Sequence, residues 1–141
     1  HASVQLAKLG RQVIALDCSS TALQIGQRIA ALEGISIQGL VADLDHWPLP
    51  SSTFEVIICL RYLNRKLFPA MEKALKPGGL LLYTTFNKYH LQEFPRFNPE
   101  YLLRPGELAR SFPNLELIVC RDGTDSSKPY SFAIAKSPEK P

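Results

Sequence analysis

Along the chain, short continuous apolar runs alternate with stretches in which apolar residues recur three and four positions apart. A short run of branched residues suits a strand buried on both faces, whereas recurrence at three and four lays one apolar stripe along a helix. Their alternation predicts an α/β fold, a mostly parallel sheet covered by helices. Residues 12–17 (QVIALD) read as the first buried strand, and Ser19 or Ser20 as the cap of the helix that follows. Ala22, Ile25, Ile29 and Leu32 are expected to form its buried face, with Gly34 as its stop. Residues 37–43 (IQGLVAD) make a second strand ending in an acid, and Phe54–Leu60 a third after the turn-rich DHWPLPSST.

Asn64 is suited to cap a helix reaching Leu75, with Leu67, Phe68, Met71 and Leu75 inward and Pro69 tightening its first turn. Lys-Pro-Gly-Gly ends that helix, and residues 80–86 (LLLYTTF) form a fourth strand. RPGELARSF predicts a short helix with Pro105 at its first position. Residues 115–120 and 130–135 alternate around RDGTDSSKP, the pattern of an antiparallel hairpin closing a sheet edge, and SPEKP reads as a frayed tail.

A chain of 141 residues suits one domain, residues 1–141, able to bury roughly two-thirds of the surface its unfolded form exposes. The formal charge of +3 is spread along the sequence, which argues against a nucleic-acid footprint. Cys18, Cys59 and Cys120 show no CxxC spacing, and the three histidines show no ligand spacing, so the expectation is a reducing compartment and no metal. Neither a charged-then-apolar leader nor an apolar run of about eighteen residues stands in the sequence, and the expected location is the cytoplasm, off the membrane.

Asp17 and Asp43 carry the candidate chemistry. In an open parallel sheet ligands sit beyond the carboxyl ends of the strands, so an acid that ends a strand faces the site. Asp17 has two readings, a carboxylate accepting from both vicinal hydroxyls of a nucleoside ribose, or a cap on the next helix. Asp43 likewise either accepts from an exocyclic adenine amine, with Leu44 covering the ring face, or forms an Asx turn. Trp47, in the loop after Asp43, covers such a ring or closes the loop over the core, and packing is the favoured reading.

Taken together, VIALD and its helix, VADLDHWPLPSSTFEVIICL, KALKPGGLLLYTTF and the final hairpin resemble a class I S-adenosylmethionine-dependent methyltransferase over nearly the whole chain. The most specific part is LKPGGLLLYTTF, because the family turns through Pro-Gly-Gly into its fifth strand. RYLNRKLFPAMEKALKPGG and NPEYLLRPGEL look most like the tellurite-resistance-related, small-molecule branch. The resemblance implies a Rossmann-like, seven-stranded sheet with an antiparallel last strand. It places Asp17, with its neighbour Cys18, at the ribose of S-adenosylmethionine, and Asp43 with Leu44 at the adenine. Leu60 then lies near the methionine end, and Arg61, Tyr62 and Asn64 on the side of a small-molecule acceptor. The family's first strand and glycine-rich turn have no counterpart in residues 1–141, and residues 2–9 match the remainder of the helix after that turn.

Ordinary roles stand beside these: Asn64 as a helix cap, Arg61 as a surface cation, Tyr62 as packing. After the fourth strand, His90 and the aromatic and basic residues Tyr89, Phe94, Arg96, Phe97 and Tyr101 either form a lid that binds a planar or anionic acceptor, or a loop buttressed by its own rings. A nicotinamide-dependent oxidoreductase would also place an acid at the end of its second strand, and a non-catalytic module binding a partner chain is the third reading. The Pro-Gly-Gly turn and the final hairpin favour methyl transfer, and the oligomeric state is not legible in the sequence.

Overall fold

The structure, a computed structural model, describes residues 2–17, 19–46 and 48–139. Cys18 and Trp47, both singled out above, lie outside the described residues. The chain divides into two compact units, His1–Pro48 and Leu49–Pro141. Its strands form two sheets, one of two strands and one of four.

The first unit runs α1 (Ala2–Lys8), β1 (Ile14–Asp17), α2 (Ser20–Leu32) and β2 (Gln38–Val41). β1 and β2 pair in parallel with Asp17 opposite Val41, as a strand–helix–strand crossover requires. Ser19 caps α2 by accepting from the Ala22 N–H at 3.1 Å. Gly34, at φ +73°, ends it in the left-handed conformation, with Gly34 and Ile35 donating back to Ala31 and Ala30. The core of this unit is Val4, Ala30 and Ile37, with Val13, Ala15 and Ile35 packed against it.

The buried face of α2 is not the expected one. Leu23, Gly26 and Ala30 are inward, whereas Ile25, Ile29 and Leu32 are 52%, 38% and 88% exposed. Size explains the difference. Ala30 is fully covered, and Gln27 reaches the Ile37 carbonyl at 3.3 Å, a close approach that small residues at 26 and 30 permit. Hydrophobic periodicity alone favours the bulkier stripe, one residue around the helix.

The second unit contains β3 (Phe54–Leu60), a 3-10 turn (Arg65–Leu67), α3 (Phe68–Ala74), β4 (Leu75–Phe86), α4 (Glu107–Ser111), β5 (Glu116–Arg121) and β6 (Tyr130–Lys136). Its sheet order is β3-β4-β6-β5. β3 and β4 are parallel, while β6 runs antiparallel to both β4 and β5. The hairpin therefore inserts its second strand, leaving β5 at the edge. One face of β6 is Ser131, Ala133 and Ala135, all buried. Beside them Tyr83 packs on Phe68 and Phe112, from the start of α3 and the end of α4, at ring distances of 5.4 and 6.0 Å. The helices thus cover the Tyr83 face.

Three local expectations are corrected. β4 begins at Leu75 rather than 80, opposite Phe54, and the Lys-Pro-Gly-Gly residues bulge from β4 between the Phe54–Leu75 and Val56–Leu80 pairs. At Gly79 a Cβ would come within 2.9 Å of the Lys76 carbonyl and 3.1 Å of that of Glu55, so only glycine fits. Pro105 lies outside the helix, since Gly106, at φ +75°, is the cap of α4. The tail is tied rather than frayed through Pro138, which accepts from the Gly78 N–H at 3.0 Å, while Ser137 donates to Gly79. Among the described residues no helix is long and apolar enough to cross a membrane.

Truncating Leu23 to Ala should cost about 2 kcal/mol or more in denaturant unfolding, by opening space in a covered seam. Ile25→Ala should cost under about 0.5 kcal/mol, as at exposed positions generally. The reverse order of these two losses would restore the isoleucine face as the buried one.

Candidate functional site

In the first unit the parallel register brings both acids to the same end of the β1–β2 pair. Asp17 ends β1 opposite Val41, and the chain holds together past that point because the Ala42 N–H donates to the Asp17 carbonyl at 3.0 Å. Asp43 follows at once. The Asp17 carboxylate accepts at Oδ1 from the Ser19 N–H at 3.0 Å, so it fixes the turn into α2, while Ser19 rather than Asp17 provides the helix cap.

Asp43 forms an Asx turn, accepting from the Asp45 N–H at 3.0 Å. His46 Nδ1 donates to its other oxygen at 2.7 Å. The His46 hydrogen bond, with the Asp45 N–H behind it, holds the Asp43 carboxyl below its ordinary range, and the same bond with the Asp43 charge raises the imidazole. The Asp43 side chain is 62% exposed, so both oxygens keep lone pairs open to a ligand. Leu44, next in the chain, is half-buried.

In the second unit β3 ends at Leu60, which is 46% exposed and paired with Thr84. Arg61 then adopts φ +54°, while its N–H donates to the Thr84 carbonyl at 2.9 Å. Left-handed backbone at a residue with a Cβ costs about 1–2 kcal/mol, and such strain gathers where a chain is being aimed. Tyr62 faces inward. Its carbonyl accepts from the Tyr83 hydroxyl and, at 3.6 Å, from the Cys59 thiol. Burial pushes that thiol up to about 11, so it stays protonated and unreactive near neutrality. Asn64 caps the 3-10 turn by accepting from the Lys66 N–H at 3.1 Å and donates to the Tyr62 hydroxyl at 3.4 Å. Leu60, Arg61, Tyr62 and Asn64 are thus brought together beyond the end of β3, with Asn64 doing its ordinary capping work.

The neighbouring strand end carries rings. Phe86 closes β4, and the following 3-10 turn, Lys88–Gln92, folds His90 back onto it at 3.9 Å between ring centres. Phe94 and Phe97 lie against His90 at 4.8 and 4.7 Å, and Tyr130 against Phe86 at 4.9 Å. Of the expected lid residues, Phe94 and Phe97 join this cluster, while Tyr101 is 56% exposed and Tyr89 takes the Lys88 cation over its ring. The sequence pointed to the loop but not to Phe86, whose place in an apolar run gives it the look of a core residue. Arg65 ties the same region together, donating to Glu107 and to the Glu100 and Leu102 carbonyls. Partial burial opposes ionisation of Glu107, but the Arg65 guanidinium and the Arg104 N–H outweigh it and keep the carboxyl low.

Among the described residues no cluster of histidine, cysteine and acidic side chains could hold a metal ion. A family profile described as "Methyltransferase domain" matches residues 1–79. Among curated proteins, the ubiquinone biosynthesis O-methyltransferase of Albidiferax ferrireducens is 30% identical over 141 aligned positions, covering 79% of this chain and 53% of that protein. The chain spans about half the length of the curated relatives it matches. Among solved structures, TehB from Haemophilus influenzae aligns with a TM-score of 0.76 at 14% identity, covering 96% of this chain and 53% of that one. The N-methyltransferase NodS from Bradyrhizobium japonicum WM9, in complex with S-adenosyl-L-homocysteine, aligns with a TM-score of 0.65 at 16% identity, covering 91% and 67%. At these identities the two structures share the fold with this chain.

The Asp43–His46 pair has a pH signature. Because the folded-state value of His46 is raised, the stabilisation it contributes is present below its ordinary value and is lost as pH rises through the raised one. Asp43 works oppositely, its contribution disappearing as pH falls through its lowered value. A proton NMR titration should therefore give His46 a midpoint above the ordinary value of about 6.5. Asp43→Asn should bring that midpoint back down. An unchanged midpoint in the variant would dissolve the pair.

Proposed function

The chain belongs to the methyltransferase-domain family, and we propose that the protein transfers a methyl group from S-adenosylmethionine to a small-molecule acceptor. The observation that supports this best is the pair of carboxylates, Asp17 and Asp43, at the same end of two adjacent parallel strands and inside the stretch the family profile spans. That match also crosses the junction of the two compact units, which supports reading residues 1–141 as one methyltransferase-like domain.

The donor set suits a nucleoside. Asp17 accepts a ribose hydroxyl at Oδ2 while Oδ1 keeps its turn to Ser19. Asp43, exposed and ionised, accepts the adenine amine, and Leu44 lies beside the ring. When bound, S-adenosylmethionine supplies a methyl carried on positively charged sulfur, an electrophile that needs an attacking lone pair held in line more than it needs a strong base. Leu60, Arg61, Tyr62 and Asn64, at and after the end of β3, are the second unit's candidates for contact with the acceptor, and the left-handed backbone at Arg61 sets the turn there. The name O-methyltransferase on the sequence relatives favours a hydroxyl oxygen as the acceptor atom. Cys59 and Cys120 are both free, in keeping with a reducing compartment such as the cytoplasm. A nicotinamide-dependent oxidoreductase is disfavoured by β6, since a doubly wound dinucleotide-binding sheet is mostly parallel.

Calorimetry on the protein separates these readings. S-adenosylhomocysteine should bind and NAD should not. Asp17→Ala should weaken S-adenosylhomocysteine about tenfold or more, the loss of a hydrogen bond to a charged group of ~1.5–3 kcal/mol. Asp43→Asn should weaken it more than it weakens methionine, which carries no adenine. NAD binding that depends on Asp17 would replace methyl transfer with hydride transfer.

A further inference from the structure

β5 is the edge of the four-stranded sheet, and its outer side has no partner strand among the described residues. Its sequence, ELIVCR, holds no proline and keeps its two charges at its ends. Between them Leu117, Ile118 and Val119 are 42%, 52% and 43% exposed. An apolar edge with unpaired backbone groups is a template for another strand.

The backbone limits which strand fits. β6 bonds β4 through its odd-numbered side: the Ser137 N–H donates to the Gly79 carbonyl, and the Asn87 N–H to the Pro129 carbonyl, each at 2.8 Å. By the alternation of an antiparallel ladder its even-numbered residues then bond β5, where Lys136, Ile134 and Phe132 stand opposite Glu116, Val119 and Arg121. Leu117 and Cys120 therefore turn their N–H and C=O groups to the open edge. The register shifts by one residue between Leu117 and Val119, which makes Ile118 the extra residue of a β-bulge. In a regular strand Glu116 and Arg121 would lie on opposite faces. The bulge puts them on the same one, beside Lys136 and Phe132.

We propose that β5 is a self-association edge, at which two copies of this chain pair β5 with β5, antiparallel, into one continuous sheet with Glu116 opposite Arg121. A two-fold axis perpendicular to the sheet keeps each face on its own side. In this register Leu117 meets the second copy's Cys120, so the groups turned to the edge bond one another, and Ile118 meets Val119. Opposite charges then close both ends of the pairing on one face, an arrangement that favours this register. Both charges are open to it. Arg121 lies over the Phe132 ring at 5.0 Å, with its buried Nε unpaired among the described residues, and Glu116 stands opposite Lys136, whose amine bonds Glu139 at 2.6 Å. A strand lacking the extra residue cannot match both the faces and the outward backbone groups, so the bulge that spoils this edge for foreign strands admits its own copy. The pairing does not depend on the methyl-transfer reading.

Sedimentation velocity over about 10 to 500 µM should show a dimer that grows with concentration, since one strand pair buries an area at the small end of specific interfaces. In hydrogen exchange the Leu117 and Cys120 amides should slow in step with the dimer, because only the pairing gives them acceptors. Glu116→Arg and Arg121→Glu should each weaken association about fivefold or more by setting like charges opposite, and the double reversal should recover it to within about twofold. That recovery requires the two side chains to face each other across the interface. A monomer at every concentration overturns the proposal, as does a dimer in which the 117 and 120 amides exchange as fast as in the monomer. Both of those measurements use the unmodified protein, so no variant has to fold for the proposal to fail.

Discussion

β6 is hydrogen-bonded along both edges while running against its two neighbours, and the arrangement of Leu49–Pro141 depends on that strand. Because it is antiparallel to β4 and to β5, those two run the same way as β3, and three strands deliver their carboxyl ends to one edge. The register then sets rows. Leu60, Thr84, Phe132 and Arg121 share one row, and Phe86 and Tyr130 the next on that face. The intervening positions, Tyr83, Thr85, Ser131 and Ala133, turn toward α3 and α4. Slipping β6 by one residue would turn Phe132 and Ile134 under the helices and Ser131, Ala133 and Ala135 away from them. The small residues at 131, 133 and 135 therefore protect the candidate site indirectly, by making only one register compatible with the bulk of Tyr83, Phe68 and Phe112.

The same contrast between stiff support and ligand-facing edge runs through both units. Arg65 satisfies its guanidinium on Glu107 and two carbonyls, and Asn87 satisfies its amide on Lys128, Ser131 and Tyr89. These polar groups are paired within the chain and hold turns in place. Asp43, Arg61 and Phe94 do the opposite. They keep charge or apolar surface in water, and at Arg61 the backbone carries conformational strain as well. Turns held in this way keep their shape before any ligand arrives, which lowers the ordering that binding must impose.

Much of this was legible in one dimension. A strand-terminal acid is a local feature, so Asp17 and Asp43 can be found from VIALD and LVAD, and the bounds of β3 follow from a single apolar run. The glycine pair at 78 and 79 is equally local, since a reversal and a close carbonyl approach both demand it. The face of α2 was not legible, because hydropathy weighs Ile25 and Ile29 above Gly26 and Ala30, while a helix lying close to strands needs the small ones inward. Nor was the cluster about His90. Phe86, Phe94, Phe97 and Tyr130 come from three stretches of chain, and only the fold back of the 3-10 turn after β4 and the pairing of β4 with β6 make them neighbours. The partner of Asp43 is a middle case: an acid three residues before a histidine suggests the pair, and the Asx turn is what closes it.

The central claim is that the acids at the ends of β1 and β2 hold the nucleoside half of S-adenosylmethionine. Backbone amide chemical-shift mapping of the protein with S-adenosylhomocysteine and, in a separate titration, with adenosine tests it most directly. The account predicts that both ligands move the amides at 17, 19 and 43–45 in parallel. Perturbations that leave 17 and 43–45 unmoved, with either ligand bound, would contradict it.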